Sequence, residues 1–290
     1  MFHGAIVATV TPFRNGKLDT AALRKLVEFQ IRNGTSGIVP CGTTGESATL
    51  SHEEHRQVID LVVEAVDGRV PVIAGTGSNN TKEAVALTRY AKKAGADAAL
   101  VITPYYNKPT QKGLVAHFTE VAAADDIPLV LYNVPGRTGV NMTAETVARL
   151  SEVRNIVGVK EASGNLAQIC DILAMTPRTF CVLSGDDGLY FPMLALGAKG
   201  VISVVSNVAP RLMADLYDAF ALGQVARARE IHFRLWPLMQ ALFIETNPIP
   251  AKTALAMMGK IREEFRLPLC AMSDGNRKAL AKVLAGLKIL

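Results

Sequence analysis

Eight short runs of apolar residues recur along the chain, and each is followed by a turn and then by a helical pattern. The runs do not alternate between apolar and polar positions, which is typical of strands buried on both faces of a parallel sheet. In chain order they are AIVATV from Ala5, GIVP from Gly37, PVIAG from Pro71, AALVIT from Ala98, PLVLYN from Pro128, IVGVK from Ile156, FCVLSG from Phe180 and GVISVV from Gly200. Eight strand–helix units favour a closed α/β barrel, the (β/α)8 TIM barrel, over an open sheet.

The segments between these runs are amphipathic and carry helix start signals. Ser51 with Glu54 three residues later forms a capping-box pattern, and Gly34 is placed to end the first helix. The residues that precede the predicted helices are Asp19, Ser51, Thr81 and Thr143. Right-handed crossovers then place the helices outside the barrel.

The pattern changes after about Gly223, where three helical segments follow one another without intervening strands. They are QVARAREIHFRLWPLMQALFIE, PAKTALAMMGK and NRKALAKVLAGLKIL. We therefore predict a TIM barrel catalytic domain over residues 1–223 and a small C-terminal helical region over residues 224–290.

Composition narrows the class of protein. The net charge is +5 without any basic run, which argues against a nucleic-acid partner. Each apolar run is broken well before the roughly 18 residues of a membrane span. The four cysteines are scattered with no C-x-x-C, and the N-terminus lacks the basic region of a signal peptide. We expect a cytoplasmic enzyme with reduced thiols.

The chemistry of a TIM barrel lies at the C-terminal ends of its strands. The segments at these ends are rich in hydroxyls and glycines, and they include one arginine and one lysine. They are CGTTGES after the second strand, GTGSNN after the third, TPYYNKP after the fourth, NVPGRTG after the fifth, Lys160 ending the sixth, SGDDG after the seventh and SNVAP after the eighth.

Lys160 and Tyr132 end neighbouring predicted strands. An amine attacks a ketone only as the free base, and desolvation between barrel strands favours that neutral form. A phenol can move protons as a carbinolamine loses water. The alternatives are a strand-end lysine extended into solvent and an ordinary core tyrosine, and the pattern alone does not decide between them.

Two rim features are suited to carboxylates. The turn with Thr43 and Thr44 offers hydroxyls and backbone amides, and it matches neither nucleotide-binding glycine motif. The guanidinium of Arg137 can bind a carboxylate through two parallel N–H donors. Taken alone, the first pattern favours a plain strand-to-helix turn and the second favours a solvated surface arginine.

We expect no metal site. No histidine ends a strand, and His52 and His55 are three residues apart, whereas the zinc motif H-E-x-x-H spaces its histidines by four. Asp186 and Asp187 could hold a metal, but we interpret Asp187 as a helix N-terminal acid and Asp186 as a turn residue.

Taken together, these motifs resemble the dihydrodipicolinate synthase family nearly from end to end. The motifs are GTTGES (42–47), TPYYNKP (103–109), YNVPGRTG (132–139), VGVKEASG (157–164), SGDD (184–187) and NPIPAK (247–252). The G-x-x-G-E turn and strand-end lysine are shared with the wider pyruvate-lyase superfamily. The Y-N-x-P-G-R-T element and the tyrosine pair 105–106 are more specific to this branch.

The resemblance implies that Lys160 forms an imine with pyruvate and needs no other cofactor. The derived enamine attacks L-aspartate 4-semialdehyde, and ring closure gives 4-hydroxy-tetrahydrodipicolinate for diaminopimelate and lysine biosynthesis. The proton relay implied by the family is Tyr132, Thr44 and Tyr106, with Tyr106 crossing a subunit interface of a homotetramer built as a dimer of dimers. The implied substrate-binding residues are Thr43, Thr44, Arg137, Gly185 and Ile202.

The resemblance also implies feedback inhibition by L-lysine, bound at the tight dimer interface. The matching positions are Ser47, Ala48, His52, His55, Asn79, Glu83 and Tyr105. The alternative is that His52 and His55 are only solvated residues on an exposed first turn.

Two other functions remain open at this stage. One is another pyruvate aldolase such as N-acetylneuraminate lyase, which would need room for a polyol. The other is a non-catalytic barrel used for binding or regulation, which fold alone does not exclude.

Overall fold

The computed structural model describes residues 2–290 and contains the predicted closed barrel. Its strands are β1 (Gly4–Ala8), β2 (Gly37–Val39), β3 (Ile73–Gly75), β4 (Ala98–Ile102), β5 (Leu129–Asn133), β6 (Ile156–Glu161), β7 (Cys181–Ser184) and β8 (Gly200–Ser203). All neighbours are parallel, in the order β2-β1-β8-β7-β6-β5-β4-β3. A bridge between Ile38 and Val72 joins the two ends of this order and closes the ring.

One helix follows each strand, as predicted. These helices are α1 (Thr20–Arg32), α2 (His52–Val66), α3 (Thr81–Ala94), α4 (Gln111–Ala122), α5 (Ala144–Leu150), α6 (Leu166–Met175), α7 (Tyr190–Leu196) and α8 (Pro210–Ala221). Three further helices end the chain, namely α9 (Val225–Ala241), α10 (Ile249–Met257) and α11 (Asp274–Gly286). The short elements are a hairpin of Phe13–Arg14 with Lys17–Leu18 and helical turns at Ser47–Thr49, Pro135–Thr138, Asp187–Leu189 and Val205–Asn207.

Most of the predicted helix start signals are confirmed. The Ser51–Glu54 capping box is present with both of its hydrogen bonds, and the side chain of Asp19 accepts from the Ala22 amide. The prediction that Thr81 precedes the third helix is wrong by one residue. Asn80 is the cap, and its side chain accepts from the Lys82 amide. Both Asn and Thr are good capping residues, so their adjacency made the assignment ambiguous.

The core has a barrel interior and an outer layer between strands and helices. Inward-facing side chains such as Ile6, Val39, Ile73 and Leu100 fill the interior. The C-terminal helices α9, α10 and α11 share a second buried cluster with α8. The division between residues 223 and 224 stays a prediction. Within residues 2–290, no helix combines the length and the apolar character needed to cross a membrane.

Candidate active site

Lys160 and Tyr132 lie side by side at the mouth of the barrel. The two residues are partners in the parallel register of β5 and β6. Lys160 is 6% exposed and Tyr132 is 7% exposed, and Lys160 Nζ lies 4.3 Å from the centre of the Tyr132 ring. Among residues 2–290, no carboxylate lies within 4.0 Å of that nitrogen. The alternative of a lysine extended into solvent is therefore wrong.

The turn after β2 is held by two backbone hydrogen bonds and places Thr44 inside the barrel mouth. The Gly45 amide donates to the Gly42 carbonyl and the Glu46 amide donates to the Thr43 carbonyl, each at 3.1 Å. A Cβ atom on Gly45 would lie 3.2 Å from both the Cys41 nitrogen and the carbonyl oxygen of the residue that follows β1, so only glycine fits without displacement. Thr44 is 3% exposed, whereas Thr43 is half-buried.

Arg137 and Gly185 border the barrel mouth from two sides. Arg137 is exposed, belongs to the turn Pro135–Thr138, and donates from its guanidinium to the Asn247 carbonyl at 3.3 Å. A Cβ atom on Gly185 would lie 3.1 Å from Cε of Lys160 and 2.5 Å from the Ala162 side chain. The absence of a side chain at residue 185 therefore leaves the room that Lys160 occupies.

Most of the predicted catalytic and substrate-binding residues line one cavity of about 180 Å³, the chamber around Lys160. Its lining includes Thr43, Thr44, Tyr132, Arg137, Lys160 and Gly185. Ile202 does not line it. That residue is 1% exposed and packs in the barrel interior with Tyr132, while Val204 just beyond β8 reaches the cavity.

Tyr106 lies outside the chamber of its own chain. Its side chain is 88% exposed, and its backbone φ of +73° is in the left-handed region, which is uncommon for a bulky residue. The neighbouring Lys108 also has a positive φ, of +44°. The loop after β4 therefore holds an exposed aromatic ring away from the barrel at a conformational cost.

A second cavity of about 470 Å³ contains six of the seven residues predicted to bind L-lysine. They are Ser47, Ala48, His52, His55, Glu83 and Tyr105. Asn79 is not part of the lining; its carbonyl accepts from the Asn107 side chain at 2.9 Å. The second cavity shares Thr43, Tyr132 and Arg137 with the chamber around Lys160, so the two spaces adjoin.

The two histidines of this second cavity have different surroundings. His52 is exposed, whereas His55 is buried and its Nε2 lies 2.7 Å from the Gly75 carbonyl. Because a carbonyl only accepts, Nε2 carries the hydrogen. Burial lowers the pKa of His55, and the Gly75 contact partly opposes that shift. The solvated alternative therefore holds for His52 alone.

The paired aspartates have structural contacts. Asp186 caps the turn Asp187–Leu189 by accepting from the Gly188 amide at 2.8 Å. Asp187 belongs to the first turn, as predicted, but its buried carboxylate accepts from the Val204 and Val205 amides at 2.9 and 3.0 Å. Burial raises the pKa of Asp187 to about 6. Within residues 2–290, no group of three or more His, Cys, Asp and Glu side chains is arranged to hold a metal ion.

The C-terminal region contributes more to the site than the sequence suggested. The Asn247 side chain donates to Thr44 Oγ1 at 3.0 Å, and Phe243 also lines the chamber. Lys252 of α10 is fully buried and pairs with Glu46 of the turn after β2. Asn247 and Lys252 open and close the NPIPAK motif, which was the available signal, but their partners lie more than 200 residues away in the chain.

Comparison with known proteins finds relatives along nearly the whole chain. Residues 1–287 match the dihydrodipicolinate synthetase family. A 4-hydroxy-tetrahydrodipicolinate synthase from Syntrophus aciditrophicus (strain SB) is 60% identical over 284 residues, 98% of each chain. The dihydrodipicolinate synthase crystal structure from Aquifex aeolicus superposes with a TM-score of 0.98 at 53% identity and covers 99% of each chain.

Two further solved relatives contain ligands. The lysine-bound enzyme from Cyanidioschyzon merolae has a TM-score of 0.97 at 43% identity, with 100% of this chain and 99% of that one covered. The pyruvate complex from Acinetobacter baumannii has a TM-score of 0.98 at 45% identity and covers 100% of both chains. The chain therefore belongs to the dihydrodipicolinate synthetase family, whose members are aldolase-type lyases of lysine and diaminopimelate biosynthesis.

Proposed function

We propose that this enzyme condenses pyruvate with L-aspartate 4-semialdehyde through an imine on Lys160 to give 4-hydroxy-tetrahydrodipicolinate. The observation that carries the proposal is the Lys160 amine itself. It is buried, has no carboxylate within 4.0 Å among residues 2–290, and faces a cavity next to Tyr132. A buried amine that is not engaged in an ion pair and that faces a cavity is available to attack a carbonyl carbon.

The proposed steps need no cofactor beyond Lys160. The amine adds to the pyruvate ketone, and loss of water leaves the imine. A proton then leaves the pyruvate methyl group to give an enamine, whose carbon bonds to the aldehyde of the second substrate. Finally the amino group of the condensed product attacks the imine carbon, closes the ring and releases the Lys160 amine.

The rim residues are suited to the two carboxylates and the proton transfers. Thr43 and Thr44 line the side of the chamber that would hold the pyruvate carboxylate, and Arg137 at the mouth has donors for the semialdehyde carboxylate. We assign the proton transfers to Tyr132 and Thr44, because Tyr132 lies against Lys160 and both side chains line the same cavity. Gly185 and Ile202 remain proposed substrate-binding positions, the latter through its backbone.

We propose that Tyr106 completes the relay in a neighbouring subunit. Its exposure and strained backbone support this assignment. A backbone conformation that costs free energy is typical of functional sites, and this one directs the ring away from the barrel of its own chain. The proposed assembly is a homotetramer built as a dimer of dimers. Sedimentation of the Tyr106→Phe variant as the native oligomer, with reduced turnover, is the expected result.

A coupled assay tests the reaction. The purified enzyme is expected to turn over pyruvate with L-aspartate 4-semialdehyde and to ignore sugar aldehydes. Turnover with sugar aldehydes alone would favour an N-acetylneuraminate lyase type of reaction, and no turnover with either would favour a binding barrel. The Arg137→Lys variant should raise KM for the semialdehyde more than KM for pyruvate, because lysine cannot offer the two-pronged contact.

We further propose that L-lysine inhibits the enzyme from the second cavity. Glu83 supports this assignment, since its carboxylate accepts from Ser78 at 2.7 Å and can pair with an amino group. The shared residues Thr43, Tyr132 and Arg137 provide a physical connection to the catalytic chamber.

Isothermal titration with L-lysine tests the regulatory proposal. The Glu83→Gln variant should bind L-lysine roughly tenfold more weakly, because a charge-assisted hydrogen bond is lost. Glu120→Gln, which changes an exposed carboxylate of α4, is the matched control and should bind L-lysine normally. Absence of binding to the unmodified enzyme would contradict the proposal.

A further inference from the structure

The outer face of β5 and β6 carries a buried polar pair directly behind the reactive residues. Tyr132 is the register partner of Lys160, and the next residues along each strand, Asn133 and Glu161, are partners too. Successive side chains of a strand point to opposite faces. The first pair faces the barrel chamber, so the second pair faces the helical layer.

Glu161 is a buried carboxylate held only by neutral donors. It is 1% exposed, and its Oε1 accepts from the Ser163 amide at 2.7 Å. Its Oε2 accepts from Asn133 Nδ2 at 3.0 Å and from Gln168 Nε2 at 3.3 Å. Within residues 2–290, no Lys, Arg or His nitrogen lies within 4.0 Å of this carboxylate. Burial of a carboxylate costs free energy, so the Glu161 carboxylate must keep all of these hydrogen bonds.

Asn133 is fixed in one orientation. Its Oδ1 accepts from the Met142 amide at 3.0 Å, and a backbone N–H can only donate. Nδ2 must therefore face the other way, where it donates to Glu161 and, at 2.8 Å, to Asn141 Oδ1. The amide cannot rotate without placing two donors against each other.

Backbone hydrogen bonds connect Asn133 and Glu161 to the chamber. The Ala162 amide donates to the Asn133 carbonyl at 2.9 Å, and the Gly185 amide donates to the Glu161 carbonyl at 2.7 Å. Gly185 in turn borders Lys160. A shift of Glu161 would therefore displace both Lys160 and the wall beside it.

We propose that Asn133 and Glu161 are positioning residues, which fix the register of β5 against β6 and so hold the Lys160 amine against Tyr132. This inference rests on the proposed imine chemistry at Lys160. This role requires one carboxylate and one amide, one on each strand. The carboxylate can only accept hydrogen bonds, and the amide donates to it from a fixed orientation.

The test compares Glu161→Gln with the exchanged pair N133D/E161Q. In the single variant an amide NH2 group faces the donors of Asn133 and Gln168, so a contact is lost. In the double variant one carboxylate and one amide are again present, with their strands exchanged. Asp at residue 133 can accept from Met142 and from the new glutamine, whose oxygen can still accept from Ser163. The side-chain amides of Asn141 and Gln168 are hydrogen-bonded to each other, and both must turn over so that Asn141 donates to the new aspartate and Gln168 accepts from the new glutamine.

The measured quantity is the rate of imine formation at saturating pyruvate, obtained by borohydride quenching at timed intervals. We expect Glu161→Gln to slow this step by about 10- to 100-fold, the scale of a misplacement near 1 Å, with a much smaller change in KM for pyruvate. The double variant should recover to within roughly threefold of the original rate, since the coupling within a pair is non-additive.

The matched control is Thr88→Val. Thr88 and Thr76 form another buried polar contact, 2.9 Å between hydroxyls, on the outer face of a neighbouring part of the barrel. This variant should lose stability without slowing imine formation. If Glu161→Gln does not fold, Gln168→Leu removes one donor at a half-buried position and should slow the step about threefold.

The possible outcomes distinguish the positioning role from the proposed function. An unmodified enzyme that forms the imine, together with a Glu161→Gln variant that forms it equally fast, overturns the positioning role alone. That role is also overturned if the exchanged pair is no faster than the single variant, or if Gln168→Leu used in its place shows no change. An unmodified enzyme that forms no imine on Lys160 overturns the proposed function as well.

Discussion

Two lysines are buried within residues 2–290, and their surroundings differ. Lys252 of α10 is 0% exposed, and its Nζ forms an ion pair with Glu46 and lies 4.3 Å from the centre of the Phe13 ring. Lys160 of β6 lies at the same distance from the Tyr132 ring, but no carboxylate is within 4.0 Å among residues 2–290. Aromatic contact is therefore common to both lysines, and the anion distinguishes them.

This difference shows that burial alone does not identify a nucleophile. Burial lowers the pKa of Lys252, but the Glu46 carboxylate opposes that shift and occupies the amine. The Lys252 ion pair joins the C-terminal region to the turn that holds Thr44, so its role is structural. Lys160 instead faces open space large enough for a small keto acid.

The largest expected effect is a loss of catalytic activity, without unfolding, when Lys160 is replaced. Lys160→Ala should abolish imine formation and condensation, because no other amine lines the chamber within residues 2–290. Its thermal melt should stay close to that of the unmodified enzyme, since within residues 2–290 the Lys160 amine takes part in no ion pair whose loss would leave a buried carboxylate without its partner. A melt lowered as far as that of a Lys252 variant would mean that the two lysines do not differ in this way.

Lys252→Met should have the opposite profile. It leaves Glu46 buried without a cation, which should reduce the free energy of unfolding by about 3–5 kcal/mol. Urea denaturation measures this change. Adding Glu46→Gln should recover much of the loss, because the uncompensated charge disappears. If the single and double variants are equally unstable, the ion pair is not what Lys252 contributes.

A third variant probes the space around Lys160. Gly185→Ala places a methyl group against Lys160 Cε and Ala162, so it should lower the rate of imine formation about tenfold by displacing the amine. Gly136→Ala on the same rim is the matched control, since no atom lies within 4 Å of its added Cβ. Equal rates in both variants would show that the lack of a side chain at Gly185 does not position the amine.

The smallest predicted effect concerns stability against pH. Burial raises the pKa of Asp187 from its ordinary value of 3.8 to about 6, so the folded state binds this proton more tightly than the unfolded state does. The free energy of unfolding contributed by Asp187 should therefore fall as pH rises between these values, by at most about 1.4 kcal/mol per pH unit. The difference between the unfolding curves of the unmodified protein and Asp187→Asn isolates this slope; parallel curves would contradict it.

The sequence predicted the parts of the molecule that depend on local pattern. Strands buried on both faces appear as continuous apolar runs, and all eight were found in this way. The position of Lys160 followed from the end of one such run. The capping box at Ser51 was visible because its partner is three residues away.

Features that depend on distant contacts were not predictable in the same way. Lys252 is part of an ordinary helical pattern, and nothing local indicates its pairing with Glu46. Asn247 reaches Thr44 only because α10 folds back over the barrel mouth. The boundary of α3 failed for a different reason, because two adjacent residues were both good caps. The role of Tyr106 in a neighbouring subunit stays a prediction.

Borohydride trapping with pyruvate, followed by peptide mass analysis, asks directly which buried lysine is the nucleophile. The peptide containing Lys160 should gain the mass of one reduced pyruvate adduct, and the peptide containing Lys252 should stay unmodified. A stable adduct on Lys252, or none on Lys160 under conditions of turnover, would show that the free amine of Lys160 is not the reactive group.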